Sequence, residues 1–236
     1  MKEICSLLEN CRVEAGEDTT NHKPVRWIHA EGRNCDALFW FFHGLPPGTW
    51  KLSVDFEKPG RPGLRELFPF VDVAFISKIY ATYIAAENIR KDRPLTDEGL
   101  VRALLKTIGG VLKTNALGYV MIGSGGCYLF WNRDYYDVFR EGDIESGYWQ
   151  DHWFFIHLPA PELPGAIVET TGAGDAFIAG ALACRTLWER GSVSGIVEAG
   201  VLGNLVAGRK CRRRGYNNLW GSSPLERSLG IVATDL

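Results

Sequence analysis

Glu169-Thr170-Thr171-Gly172-Ala173-Gly174-Asp175-Ala176-Phe177 sets three small residues directly before an acid, with an apolar helical pattern behind it. At a helix start the first N–H groups have no intrahelical acceptor, so those of Gly172, Ala173 and Gly174 are placed to face an anion. Gly172 and Gly174 also let backbone approach a ligand with no Cβ between them. An acid beside such an anion hole, here Asp175, is suited to act as a general base. It would take the proton of a hydroxyl while the hole holds the developing charge. The chemistry this arrangement favours is phosphoryl transfer to an alcohol. An acid in the first turn also offsets the dipole of any helix, and the stretch alone leaves both readings open.

The other sequence signals narrow the choice. The chain has 236 residues, of which 46% are hydrophobic, enough for one large domain with a packed core. A net charge of −2 gives no global basic field for nucleic acid. The six cysteines, Cys5, Cys11, Cys35, Cys127, Cys184 and Cys211, form no C-x-x-C pair. That argues against a zinc site or disulfide framework and points to a reducing, cytoplasmic setting. The N-terminus lacks the apolar region of a secretory signal, and the run Ala37–Phe42 is far too short to span a membrane. No G-x-x-x-x-G-K-[ST] occurs, and Phe177 stands where a dinucleotide fingerprint needs Gly or Ala. Arg209-Lys210-Cys211-Arg212-Arg213-Arg214 is the one strong charge run. It reads as solvated cations at a helix C-terminus rather than a nucleic-acid patch.

Residues 1–25 are polar and irregular, and order is expected from Val25 onward. Strands are expected at Val25–His29, Trp50–Phe56, Val71–Ile76, Gly118–Ile122 and Cys127–Trp131, the last two forming a hairpin. Helices are expected up to His43, from Leu64, from Thr96 to Leu112, from Ala176 to Glu189 and from Ser194 to Cys211. Strands alternating with helices indicate an α/β fold with a mostly parallel sheet flanked by helices. In such sheets ligands bind beyond the carboxyl ends of the strands. The loops 31–34, 57–59, 123–126 and 172–175 are therefore expected to meet in one crevice.

The stretch at 169–175 resembles the second signature of the ribokinase-like (PfkB) sugar kinases, Asp-Thr-x-Gly-Ala-Gly-Asp, with Glu169 in place of the leading Asp. Within that family the chain is most similar to the ketohexokinases. Trp27-Ile28-His29-Ala30-Glu31-Gly32-Arg33-Asn34 matches their Trp-Ile-His-x-Glu-Gly-Arg-Asn. Ser53-Val54-Asp55-Phe56-Glu57-Lys58-Pro59, Val71–Lys78, Val206–Cys211 and Gly215-Tyr216 resemble further segments, the last being Gly-Phe in the family. The resemblance implies an ATP-dependent ketose kinase that converts fructose to fructose 1-phosphate and uses ATP, Mg2+ and K+. Asp175 would be the base, Gly172, Ala173 and Gly174 the anion hole, and Arg33 a guanidinium near the transferring phosphate. Gly123, Ser124 and Gly126 would lie in a turn against ATP, though a Gly-Gly turn serves a plain hairpin equally well. Gly203, Asn204 and Ala207 would wall the adenine, where helix packing also favours small residues. Glu57 is a candidate for water-mediated Mg2+ binding. Glu169 lengthens the carboxylate that in relatives helps hold the loop and a monovalent cation. The implied partners are a sugar and ATP, with homodimers among full-length relatives and no nucleic acid or membrane.

The family's N-terminal Gly-Gly-Asp, its Gly-Gly-Asn-x-x-Asn sugar site and its β-lid strands have no counterpart in residues 1–25. Residues 26–236 are thus expected to be a partial carbohydrate-kinase domain, about the C-terminal two-thirds of the fold. Fructose turnover by such a chain is expected to be slow, since the residues that aim the sugar are missing. The alternative is a non-catalytic nucleotide-binding relative. The aromatic-rich stretch 133–164 is longer than in the family and is expected to be an added hairpin over apolar surface or a dimer contact.

Overall fold

The computed structural model describes residues 26–88, 94–132, 148–184, 193–216 and 219. Seven strands form one sheet: β1 (Arg26–Glu31), β2 (Trp50–Phe56), β3 (Val73–Ser77), β4 (Leu117–Gly123), β5 (Gly126–Asn132), β6 (Tyr148–Gln150) and β7 (Trp153–Leu158). Their order is β1-β2-β3-β4-β5-β7-β6. Pairing is parallel from β1 to β4 and antiparallel from β5 onward.

Among the described residues five helices cover the sheet: α1 (Cys35–His43), α2 (Lys78–Ala85), α3 (Asp97–Ile108), α4 (Ala173–Ala183) and α5 (Val193–Cys211). A 3₁₀ segment, Arg65–Phe70, follows the Gly63 turn. Thr96 caps α3 by accepting the Gly99 N–H at 3.0 Å, as the Thr96-Asp97-Glu98 signal predicts. Its Leu100, Val101, Leu104, Leu105 and Ile108 share one buried face.

Side chains alternate across the strands and divide the core in two. Leu52, Val54 and Phe56 of β2 join Ala74, Ile76, Val120 and Phe130 beneath α1, α2 and α3. Phe75, Tyr119, Leu129, Trp131 and Ile156 form the opposite layer beneath α4 and α5. On that second face β2 is polar, because Ser53 and Asp55 point where its neighbours carry rings. Asp72 braces the far end of the strands. Its Oδ2 accepts the Leu52 N–H at 2.8 Å and the Lys113 ammonium at 3.3 Å.

Two expectations change. Part of the stretch 133–164 belongs to the main sheet: β7 pairs with β5 through Cys127↔Leu158 to Asn132↔Trp153, and β6 extends it. Residues 148–158 are thus edge strands of the sheet rather than a separate hairpin, while 133–147 lies outside the described residues. The helix α2 is absent from the sequence reading. Ser77, one residue past the expected strand Val71–Ile76, ends β3 and caps α2 by accepting the Tyr80 N–H at 3.0 Å. The expected extension of α4 to Glu189 falls beyond Cys184, where the described residues stop. Among the described residues no helix is long and apolar enough to cross a membrane.

Candidate active site

Gly172 adopts φ +78° as the residue preceding α4, a conformation glycine reaches without strain. The Ala173 N–H donates to the Thr170 carbonyl at 3.1 Å, and the Ala176 N–H to the Gly172 carbonyl at 3.0 Å. The N–H groups of Gly174 and Asp175 between them are first-turn donors with no intrahelical acceptor. Of the expected anion hole, Ala173 is thus already engaged, and the open donors are shifted one residue along.

Helix α4 is held rigidly. A Cβ on Gly203 of α5 would lie 2.8 Å from the Phe177 ring, and one on Gly180 only 3.0 Å from the Gly203 Cα. The small residues let the two helices touch, so Gly203 serves packing. Asn204 is buried, and its Nδ2 donates to the Leu158 carbonyl at 2.9 Å, strapping the end of β7. Ala207 lies further along α5 and is half-buried.

Asp175 lies within electrostatic reach of the carboxyl halves of β1 and β2. Its charge acts on both His29 and Asp55. His29 accepts or donates at Nδ1 to the Ser53 hydroxyl at 2.9 Å, and Trp27 Nε1 donates to the same oxygen at 2.9 Å. Desolvation lowers the His29 pKa against the opposing charges of Glu31 and Asp175. Asp55 is 8% exposed, and its Oδ1 has no hydrogen-bond partner among the described residues. Burial, and then the like charges of Glu57, Asp175 and Glu31, push its pKa up to about 7, with Arg61 opposing.

Two of the four expected loops, 31–34 and 57–59, are joined here, while the turn 123–126 packs on the loop after β7. Arg33, beyond β1, pairs its guanidinium with Glu31 and remains largely exposed. A second guanidinium, Arg61, is better held. Its Nη1 donates to the Gly32 carbonyl at 2.8 Å, and its Nη2 lies 3.3 Å from Glu57 Oε2. Arg61 thus ties the loop after β1 to the loop after β2. The turn Gly123–Gly126 joins β4 to β5, with φ +72° at Gly123 and φ +91° at Gly126. The loop after β7 seats it: His157 Nε2 lies 2.7 Å from the Gly125 carbonyl oxygen. A Cβ on Gly126 would fall 2.5 Å from Ala160 N, where nothing flexible can give way. Gly126→Ala is expected to cost on the order of 2–4 kcal/mol, measured by urea denaturation; an unchanged midpoint would contradict this seating.

The metal candidates are already neutralised. Glu57 faces Lys58 at 3.6 Å as well as Arg61. Glu169 Oε2 accepts the Lys210 ammonium at 2.6 Å and the Gly215 N–H at 3.2 Å. These bonds hold the Glu169 carboxyl below the usual range. Among the described residues no group of three or more His, Cys, Asp or Glu side chains could hold a metal ion. The residues present therefore do not form a cation cage, and neither Glu57 nor Glu169 stands free as a ligand. Lys210 also corrects the reading of the basic run as solvated. Its side chain is 1% exposed, and burial requires the partner that Glu169 supplies.

Three features were not singled out from sequence: the buried Asp55, the Arg61 tie and Tyr216. An acid inside a buried strand, Val54-Asp55-Phe56, is the available signal for the first. The Tyr216 hydroxyl donates to Asp175 Oδ2 at 3.4 Å. Its signal is that tyrosine replaces the phenylalanine of the similar family.

Neither a protein-family model nor a curated protein sequence matches the chain. Solved structures do. The chain is similar to ribokinase from Thermotoga maritima at 14% identity and TM-score 0.55, covering 86% of this chain and 56% of that one. It is similar to ribokinase from Giardia lamblia at 14% identity and TM-score 0.62, covering 86% and 59%. Fructokinase from Vibrio cholerae, solved with fructose, ADP and calcium ion, matches at 15% identity and TM-score 0.58, covering 89% and 62%. These identities establish the fold: a ribokinase-like α/β sheet flanked by helices. The chain spans 56–62% of the length of these sugar kinases.

Proposed function

We propose that this chain carries the phosphoryl-transfer end of a carbohydrate kinase, acting on a ketose such as fructose with ATP as donor. The observation that carries the reading is the N-terminus of α4. Open N–H donors at Gly174 and Asp175 adjoin a carboxylate within electrostatic reach of the carboxyl halves of β1 and β2. Asp175 accepts the proton of the sugar hydroxyl as its oxygen becomes a nucleophile. The Gly174 and Asp175 N–H groups, and Arg33 once freed from Glu31, offset charge on the transferring phosphoryl group. Gly123, Ser124 and Gly126 line the nucleotide side, with Gly203, Asn204 and Ala207 of α5 behind. Bound ATP would supply the phosphoryl group. Residues 26–236 form a partial carbohydrate-kinase domain in this reading.

A second reading, nucleotide binding without turnover, is favoured by one contact: Asp175 is already engaged by Tyr216. Calorimetry and an ADP-release assay on residues 1–236, with ATP, Mg2+, K+ and fructose or ribose, separate the two. The kinase reading expects nucleotide binding with slow, fructose-dependent ADP release. Binding with no sugar-dependent release supports the second, and no binding refutes both.

A further inference from the structure

We propose that Tyr216 is an arm displaced by ligand: its hydroxyl closes the N-terminus of α4 and occupies Asp175, and it leaves when a nucleoside triphosphate enters. The proposal rests on the reading of Gly172–Asp175 as the phosphate end of the site.

Three observations carry it. The first is where the hydroxyl sits. It bonds Asp175 Oδ2 at 3.4 Å, and a Cβ built on Gly172 would overlap it and lie 2.8 Å from the ring's Cζ. The phenol thus fills the space over the turn into α4 that the missing side chain of Gly172 leaves open. The second is that the root of the arm is anchored. Gly215, at φ +70°, gives its N–H to Glu169 Oε2 at 3.2 Å. The buried Lys210 ammonium grips the same oxygen at 2.6 Å and lies 5.3 Å from the centre of the Tyr216 ring. The third is that the side chain is exposed. Tyr216 is 54% exposed, so apart from the Lys210 ammonium and the Asp175 bond, water meets much of the ring.

A fixed root and an exposed tip suit a side chain that rotates without disturbing the fold. Asp175 is exposed, so water can take the place of the phenol on its carboxylate when the side chain turns away. A phosphoryl group at the Gly174 and Asp175 N–H groups competes for this space. Binding such a ligand therefore breaks one hydrogen bond, and removing the phenol removes that competition.

The test compares the wild-type chain with Tyr216→Phe and Tyr216→Ala, using the β,γ-imido analogue of ATP and adenosine as probes in calorimetry. Both variants are expected to bind the analogue about three- to tenfold more tightly while adenosine affinity stays unchanged. In the chain labelled with 3-fluorotyrosine, the fluorine resonance missing from Tyr216→Phe is expected to move on adding the analogue and not on adding adenosine. Equal analogue affinity in all three proteins, or an unmoved resonance at saturation, overturns the arm and leaves the nucleotide reading intact. Failure of all three to bind the analogue overturns the nucleotide reading and the arm together.

Discussion

Asp175→Asn is expected to lower ATP-dependent sugar phosphorylation by about 10²–10⁴-fold, the usual contribution of a positioned general base. The substitution keeps the shape of the side chain and its place in the first turn of α4, so the helix and its contact with α5 are preserved. What it removes is the ability to take a proton. Because the open N–H groups belong to the backbone, affinity for nucleotide should change by less than about threefold. An initial-rate assay with calorimetry alongside reads both quantities. A rate that survives the substitution would place the base elsewhere, and a parallel loss of nucleotide affinity would make Asp175 a binding group.

The second large effect concerns Asp55. Its folded pKa of about 7 lies well above the 3.8 of a free aspartate. A raised acid binds its proton more tightly in the folded chain than in the unfolded one. The stability this brings is complete below about pH 4 and is lost as pH rises through about 7. Asp55→Asn cannot ionise, so its gain over wild type should be absent near pH 4 and reach on the order of 2–4 kcal/mol at pH 8. Urea unfolding of both proteins across this range measures the difference. A gap that does not change with pH would show that Asp55 is charged throughout, with a partner for its Oδ1.

The fold was legible where local chemistry and periodicity agree. Trp50–Phe56 alternates and is β2 with the same limits, and the Thr96 cap gives the start of α3. Gly172 before Asp175 marks the start of α4, because few other signals place a glycine just before an apolar helix. Strand β7 was hidden because its core-facing residues on both sides, Trp153 to Leu158, leave no alternation of polarity to read. The burial of Lys210 was hidden for a different reason. A basic run at a helix end looks solvated in one dimension, and only the return of the chain past Glu169 shows which cation turns inward. The Asp55, Arg61 and Tyr216 contacts join residues from separate loops, which no spacing rule encodes.

The path of the chain around α4 and α5 has a consequence for how this protein can vary. The N–H groups of Val168 and Glu169 both donate to the Cys211 carbonyl, at 2.7 and 3.1 Å, and Lys210 closes on Glu169 beside them. The chain thus leaves the sheet, builds two helices and returns to its point of departure, where it is sealed by backbone and ion pair. Such an excursion is a cartridge: what happens at its distal end is not transmitted to its mouth. Changes remote from this seal can accumulate across a lineage while Asp175 keeps its address. Change in the sealing residues has no such freedom.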